Sequence, residues 1–423
     1  MKYLVFSGLI FIGFLSLNFS HTKPQQQQDC TECHSDLIEY KNVHAVMEMG
    51  CETCHESTGD GHPNEGGFKL TEAIPALCYM CHDDYSKKNI HYPTAEGECL
   101  ACHSPHGSEF SSILNVSASK ICLECHDAEV PENNSGHYPF SEGECASCHE
   151  AHQSDNNDLL KVAIPALCYE CHENPTEEAS SIHAVAEECS TCHNSHSAEH
   201  SMLLTQAMPG LCLNCHEESS GEYTHAPVKN GECAHCHNPH ASKLTSLLTK
   251  NKQELCLNCH SKAYRTDSTL VENIGQKISS SEYVHAAIEM DGCSTCHSAH
   301  STGRSAMLKN NFPGSYYVRA KTENFTLCFD CHDGAILQED ASASGTNFRN
   351  GNQNLHYFHI NGTRGRSCSM CHDVHASLNE HLIRENVPFG KWEMQMNYKP
   401  LENGGSCMPG CHGELNYDRT VTN

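Results

Sequence analysis

Residues 91–106 read HYPTAEGECLACHSPH. Cys99, Cys102 and His103 form a C-x-x-C-H, the spacing at which two thiols add to the vinyl groups of a haem and the adjacent imidazole ligates its iron. His91 and His106 flank that motif, and one haem with one proximal ligand leaves both to be explained.

Working outward, all thirty cysteines of the 423-residue chain fall in this motif or a near copy of it. Two kinds alternate. The first usually follows leucine: Cys30, Cys33 and His34; Cys78, Cys81 and His82; Cys122, Cys125 and His126; Cys168, Cys171 and His172. It continues with Cys212, Cys215 and His216; Cys256, Cys259 and His260; Cys328, Cys331 and His332; and Cys407, Cys411 and His412, whose CMPGCH holds one extra residue. The second kind carries the flanking histidines: Cys51, Cys54 and His55; Cys99, Cys102 and His103; Cys145, Cys148 and His149; Cys189, Cys192 and His193. Cys233, Cys236 and His237, then Cys293, Cys296 and His297, then Cys368, Cys371 and His372 complete it.

The register is strict. In six copies, fifteen residues separate the first cysteine of the second kind from the end of an apolar pair: Leu114, Leu160, Leu204, Leu248, Leu308 and Ile383. Eight more lead to the next first-kind cysteine at 122, 168, 212 and 256. The array therefore counts as seven pairs plus a single terminal motif, or about fifteen haems. With some 400 mature residues, each haem has fewer than thirty residues of its own, so the macrocycles must themselves serve as core. The expected fold is mostly irregular coil with short α-helices, wrapped around a chain of stacked covalent haems, with little or no β-sheet. Helices are expected near each C-x-x-C-H, interrupted by Pro93, Pro139, Pro165, Pro209 and Pro239.

Fifteen of the thirty-four histidines directly follow a cysteine. Of the others, His44, His91, His137, His183, His225, His285 and His359 precede second-kind motifs by six to nine residues, while His62, His106, His152, His196, His240, His300 and His375 follow them. Fourteen spare imidazoles thus match fourteen haems, and each iron is expected to carry histidine on both faces. His106 is too close to His103 to pass around a macrocycle, so it must reach a neighbouring haem. The upstream histidines have longer tethers and could serve either motif of their pair. For His412 the candidates are His381, preferred, and His356.

Rival uses of cysteine fare worse. Disulfides give no reason for a histidine after every second cysteine, and zinc sites do not need one at that fixed place fifteen times over. Residues 1–20, with Lys2 ahead of an apolar run, read as a signal peptide, and 21–28 as a polar leader. Residues 29–261 hold ten Lys, no Arg and thirty-six acids, an acidic regular array with haems 1–11; residues 262–423 hold fourteen Lys and Arg against seventeen acids, with haems 12–15. This second part carries insertions at 262–281, 309–324, 334–354 and 384–403, with SYYVRAK, NGTRGR and PFGKWEMQMNYKP nearby, residue types enriched at protein interfaces. They are expected to dock a redox partner. The acidity excludes nucleic acid.

Leu-Cys-x-x-Cys-His alternating with Gly-Glu-Cys-x-x-Cys-His-x-Pro-His and a trailing leucine pair resembles the doubled-CxxCH family of multihaem c-type cytochromes. The likeness covers residues 29–412 and is sharpest at Cys99–His106 and Cys233–His240; CMPGCH departs from the usual spacing. The resemblance implies bis-histidine haem c and respiratory electron transfer in the periplasm, at the outer membrane or outside the cell. Partners would be other redox proteins, an outer-membrane porin or other cytochromes. Self-assembly into a filament is an alternative. A reductase of nitrite or a similar oxyanion is another, but no C-x-x-C-K offers an open iron, so an electron carrier rather than an enzyme is expected.

Overall fold

The computed structural model describes residues 29–421 except 60, 64–65, 266–269, 342–344 and 390, so the expected signal peptide and leader lie outside the described residues. The chain divides into two compact units, one of residues up to Glu129 with Pro139–Lys161, the other of Val130–Tyr138 with Val162 onward. Among the described residues the longest α-helix is Lys252–His260, and none is long and apolar enough to cross a membrane. The rest is coil, single helical turns and short antiparallel ladders.

While Cys189–Cys192 and Cys368–Cys371 begin at the cysteine, before several first-kind motifs a single turn begins two residues ahead of the first cysteine and ends one past it, as in Ala76–Tyr79, Ala166–Tyr169 and Gly210–Leu213. Proline starts them rather than interrupting them. Pro75, Pro165 and Pro209 are the N-caps of those three, and Pro93 and Pro227 lie in the first turns of Tyr92–Ala95 and Ala226–Lys229. Proline lacks only an N–H that a first turn leaves unpaired anyway. Between each such turn and the following cysteine the backbone needs positive φ, supplied by Gly97 (+73°) and Gly231 (+74°). A Cβ on Gly231 would lie 2.7 Å from the Pro209 ring.

After six of the seven second-kind motifs the chain reverses through two successive left-handed residues: Ser112–Ile113, Asp158–Leu159, Met202–Leu203, Ser246–Leu247, Ala306–Met307 and His381–Leu382, with φ between 48° and 60°. Such non-glycine conformations cost about 1–3 kcal/mol each, so something must hold them. The reversal sets His103 against Leu114, His149 against Leu160, His193 against Leu204, His237 against Leu248, His297 against Leu308 and His372 against Ile383 as antiparallel bridges. That is why the apolar pair recurs fifteen residues after the cysteine. A hydroxyl nine residues after that cysteine locks the turn. Ser154, Ser242, Thr302 and Ser377 donate to the carbonyls of Leu160 (2.5 Å), Leu248 (2.6 Å), Leu308 (2.9 Å) and Ile383 (2.5 Å), and Ser108 donates likewise to Leu114.

Six two-residue ladders join successive repeats within the compact units. Asn42–Val43 pairs with Gly107–Ser108, Asn89–Ile90 with Gln153–Ser154, and Ser135–Gly136 with Ser197–Ala198. Ser181–Ile182 pairs with Ala241–Ser242, Tyr223–Thr224 with Ser301–Thr302, and Tyr283–Val284 with Ala376–Ser377. Beyond each ladder the N–H of an upstream histidine donates to the carbonyl of a downstream one, as from His91 to His152 at 2.8 Å.

Apolar packing is uneven. Up to residue 261 the hydrophobic residues buried among the described ones are Ala186, Ala198 and Ala241. Later, Phe325, Leu337 and Ile360 form one buried cluster and Met370, Val387 and Met396 another. The C-terminal part also holds a hairpin, Asn386–Phe389 with Trp392–Gln395, and a three-stranded sheet of Lys399–Leu401, Gly404–Cys407 and Leu415–Asp418.

Candidate metal centres

Each ladder places two imidazoles, and the Nδ1 of the upstream one is already engaged. His44, His91, His137, His183, His225 and His285 direct Nδ1 at the carbonyls of Pro105 (2.8 Å), Ala151 (3.0 Å), Ser195 (2.9 Å), Pro239 (2.8 Å), Ala299 (3.1 Å) and Val374 (3.0 Å). The second-kind histidines use the left-handed turns: His103, His149, His193, His237, His297 and His372 reach the carbonyls of Ser112, Asp158, Met202, Ser246, Ala306 and His381 at 2.7–3.0 Å. A carbonyl can only accept, so Nδ1 carries the proton and Nε2 keeps its lone pair. This is the outer hydrogen bond that orients a metal-ligating histidine.

The rings face one another in twos. In the first compact unit the centroids of His34 and His62 lie 6.0 Å apart, His44 and His82 6.0 Å, His55 and His106 6.2 Å, His91 and His126 6.0 Å, and His103 and His152 5.8 Å. In the second, His137 and His172 are 6.1 Å apart, His183 and His216 5.9 Å, His193 and His240 5.9 Å, and His225 and His260 6.2 Å. His237 and His300 follow at 5.9 Å, His285 and His332 at 6.2 Å, His297 and His375 at 6.2 Å, and His356 and His372 at 6.3 Å.

These distances test the fit of a haem. An imidazole nitrogen lies about 2.0–2.1 Å from a first-row metal, and roughly 1.1 Å separates that nitrogen from its ring centroid, so two imidazoles on opposite sides of one metal have centroids about 6.3 Å apart. Direct aromatic contact does not explain thirteen pairs held within half an ångström of one value. Nor does zinc, which takes three or four protein ligands; among the described residues no three His, Cys, Asp or Glu side chains converge. The residues present fit a macrocycle with two axial histidines.

The pairing obeys a rule. An upstream histidine faces the first-kind motif that follows its own second-kind motif, as His91 faces His126. A downstream histidine faces the second-kind motif of the preceding repeat, as His106 faces His55. The two ends differ: His62 faces His34 of its own repeat, and His372 is faced by His356. His381, preferred above for His412, instead lends its carbonyl to His372, and its ring is 62% exposed beside Glu380. Its left-handed backbone serves the turn. His412 acts electrostatically on His359, whose Nδ1 is held by the Leu355 carbonyl at 2.7 Å.

Burial first, and the facing imidazole second, lower the proton affinity of His106, His152, His240, His300 and His375, the last to about 4. His356 is also held down to about 4, by burial and then by His372 and His359. These imidazoles are neutral at ordinary pH, the form a metal requires.

The cysteines form no disulfides among the described residues and lie in a matching order. Cys30 is within hydrogen-bonding reach of Cys51, Cys78 of Cys99, Cys122 of Cys145, Cys212 of Cys233, Cys256 of Cys293 and Cys328 of Cys368. The second cysteines interact across repeats, Cys102 with Cys125, Cys192 with Cys215, Cys236 with Cys259 and Cys296 with Cys331.

The sequence reasoning missed three kinds of residue: the locking hydroxyls, the left-handed pair and Asn354. The hydroxyls had a signal, since Ser or Thr recurs nine residues after the cysteine at 108, 154, 242, 302 and 377.

The doubled CXXCH motif family matches the chain six times, over residues 44–87, 91–131, 137–177, 183–221, 225–264 and 285–336. Each match starts at an upstream histidine and contains the first-kind motif which that histidine faces. A stretch covering 26% of the chain is 30% identical over 139 residues to multihaem cytochrome MtrA of Shewanella baltica (strain OS185), and spans 40% of that protein. Another, covering 23% of the chain, is 26% identical over 117 residues to the high-molecular-weight cytochrome c of Nitratidesulfovibrio vulgaris (strain Hildenborough), and spans 22% of it. Both matches therefore span less than half of the relative's length.

Proposed function

The chain belongs to the doubled-CXXCH family of multihaem c-type cytochromes, and from that premise we propose that it is an exported carrier which holds about fifteen haem c groups and passes electrons between redox proteins. The facing histidine pairs carry this reading. A covalently held haem supplies a one-electron iron couple that needs no proton or leaving group. The chain's residues do the rest. The cysteine pairs would hold each macrocycle covalently, the paired imidazoles would ligate its iron, and backbone carbonyls keep Nε2 available by holding the proton on Nδ1. The thiol contacts within and between repeats put successive sites side by side in sequence order inside each compact unit.

By the pairing rule His359 serves the CMPGCH site at His412. Two facing imidazoles per site would leave no open iron for a small oxyanion, which supports the reading as carrier rather than reductase. Partners would be other redox proteins, with a porin or a second copy as neighbours in an assembly.

The test is a haem count by pyridine haemochrome together with carbon monoxide titration of the reduced protein. About fifteen haems, all low-spin and inert to carbon monoxide, is the expected result. Stoichiometric carbon monoxide binding, or turnover of nitrite, would instead mark a catalytic iron.

A further inference from the structure

Six of the seven second-kind motifs follow their proximal histidine with a neutral side chain or a carboxylate that is not buried: Glu56, Ser104, Glu150, Asn194, Asn238 and Ser298. The seventh has Asp373, only 7% exposed. Its Oδ2 lies 2.8 Å from Lys277 Nζ and 3.6 Å from an Arg384 guanidinium nitrogen, and its Oδ1 accepts the His375 N–H at 3.2 Å. Lys277 comes from the insertion helix Ile274–Ser280 and also meets Glu272 at 2.7 Å. Arg384 donates through Nε to the carbonyls of Ser369 (2.8 Å) and His372 (3.1 Å). The cluster therefore sits on the segment that carries His372, faced by His356, and His375, faced by His297.

A buried ion pair is weak support for stability, because desolvation offsets most of the attraction. Its field is a different matter: fixed charges out of water act strongly on a neighbouring centre that gains or loses an electron. Building on the reading of the facing histidines as haem ligands, we infer that the Asp373–Lys277–Arg384 cluster sets the redox potentials of the two haem sites closed by His372 and His375. Reduction adds one electron at the iron and breaks no bond, so the sign of the local charge decides the direction. The carboxylate disfavours that electron and the two cations favour it. This makes the junction of the Cys293 and Cys368 sites a tuned step in an otherwise regular series.

The test is a spectroelectrochemical titration of the haem-loaded full chain with three substitutions. Asp373→Asn leaves two cations with no buried carboxylate and should move about two of the fifteen sites to higher potential. Lys277→Met should move the same sites to lower potential. Lys69→Met, which removes the exposed partner of Glu56, should move none, because solvent screens that pair. A structural role would shift the first two variants alike. Shifts of one sign, or no shift with the haem count intact, would overturn the inference; should Asp373→Asn lose haem, the Lys277→Met direction decides alone. A wild-type haem count far below fifteen would instead sink the ligand reading on which this rests.

Discussion

Replacing His106 with alanine should open the iron held by Cys51, Cys54 and His55, while the one held by Cys99, Cys102 and His103 stays closed. His106 lies three residues from His103 in sequence, yet its ring faces His55 at 6.2 Å, and His103 is faced by His152 at 5.8 Å. The backbone of His106 still accepts the N–H of His44 (2.8 Å), so the ladder of Asn42–Val43 with Gly107–Ser108 survives the substitution. Haem content should not change, because attachment is through the cysteines. The reduced protein should acquire about one carbon monoxide site per chain, with about one haem turning from low-spin to high-spin. Combining the substitution with Cys99→Ser and Cys102→Ser locates the opened iron. If the carbon monoxide site vanishes with those cysteines, His106 served its own motif and the pairing rule fails.

Much of this site can be read from the residues alone, because haem attachment is a local grammar: two thiols and an imidazole within five positions. The flanking histidines are visible for the same reason, by fixed offset. Which iron each serves is not, because the partner is set by ladders such as Asn89–Ile90 with Gln153–Ser154, more than sixty residues apart and two residues long. No alternation of apolar and polar residues survives over two residues. The upstream histidine ahead of the Cys51 motif shows this, since its ring faces His82 of the motif that follows.

The insertion at 334–354 shows a second limit. Its aromatic and basic surroundings read as a docking surface, and the structure adds that it lends buried residues to a core, Leu337 at 5% exposed and Asn354 at 1%. The Asn354 amide donates to the carbonyls of Ile336 (3.0 Å) and Glu339 (2.9 Å), while its side-chain oxygen caps Leu355–Ile360. This segment builds core. Its apolar residues are too sparse to announce a helix by periodicity, and burial comes from contacts with Phe325 and Ile360.

Phe325→Ala is accordingly the substitution expected to destabilise the protein most. Phe325 is fully buried against Leu337 and Ile360, and truncating such a ring typically costs about 3–5 kcal/mol through lost burial and the cavity left behind. The loss reaches the metal centres by a short route. Ile360 ends the helix Leu355–Ile360, which carries His356 and His359, so a cavity beneath it loosens the imidazoles assigned to His372 and His412. Covalent haem content should stay constant, while about two haems lose low-spin character and protease cuts appear within residues 334–354. Unfolding should start in residues 262–423, where Phe325, Leu337 and Ile360 form a side-chain core, and leave residues 29–261 intact. His381→Ala, on an exposed ring, should do none of this. A single cooperative loss along the whole chain, or an unchanged melting profile, would refute the division. The facing rings carry the same contrast: His55, His103, His193, His237 and His297 are faced by imidazoles of the next repeat, so haem ligation by these pairs would tie neighbours together. His372 takes its own from His356, only sixteen residues upstream, and a histidine supplied from within must be held by something other than a neighbour. The Phe325 core is what holds it.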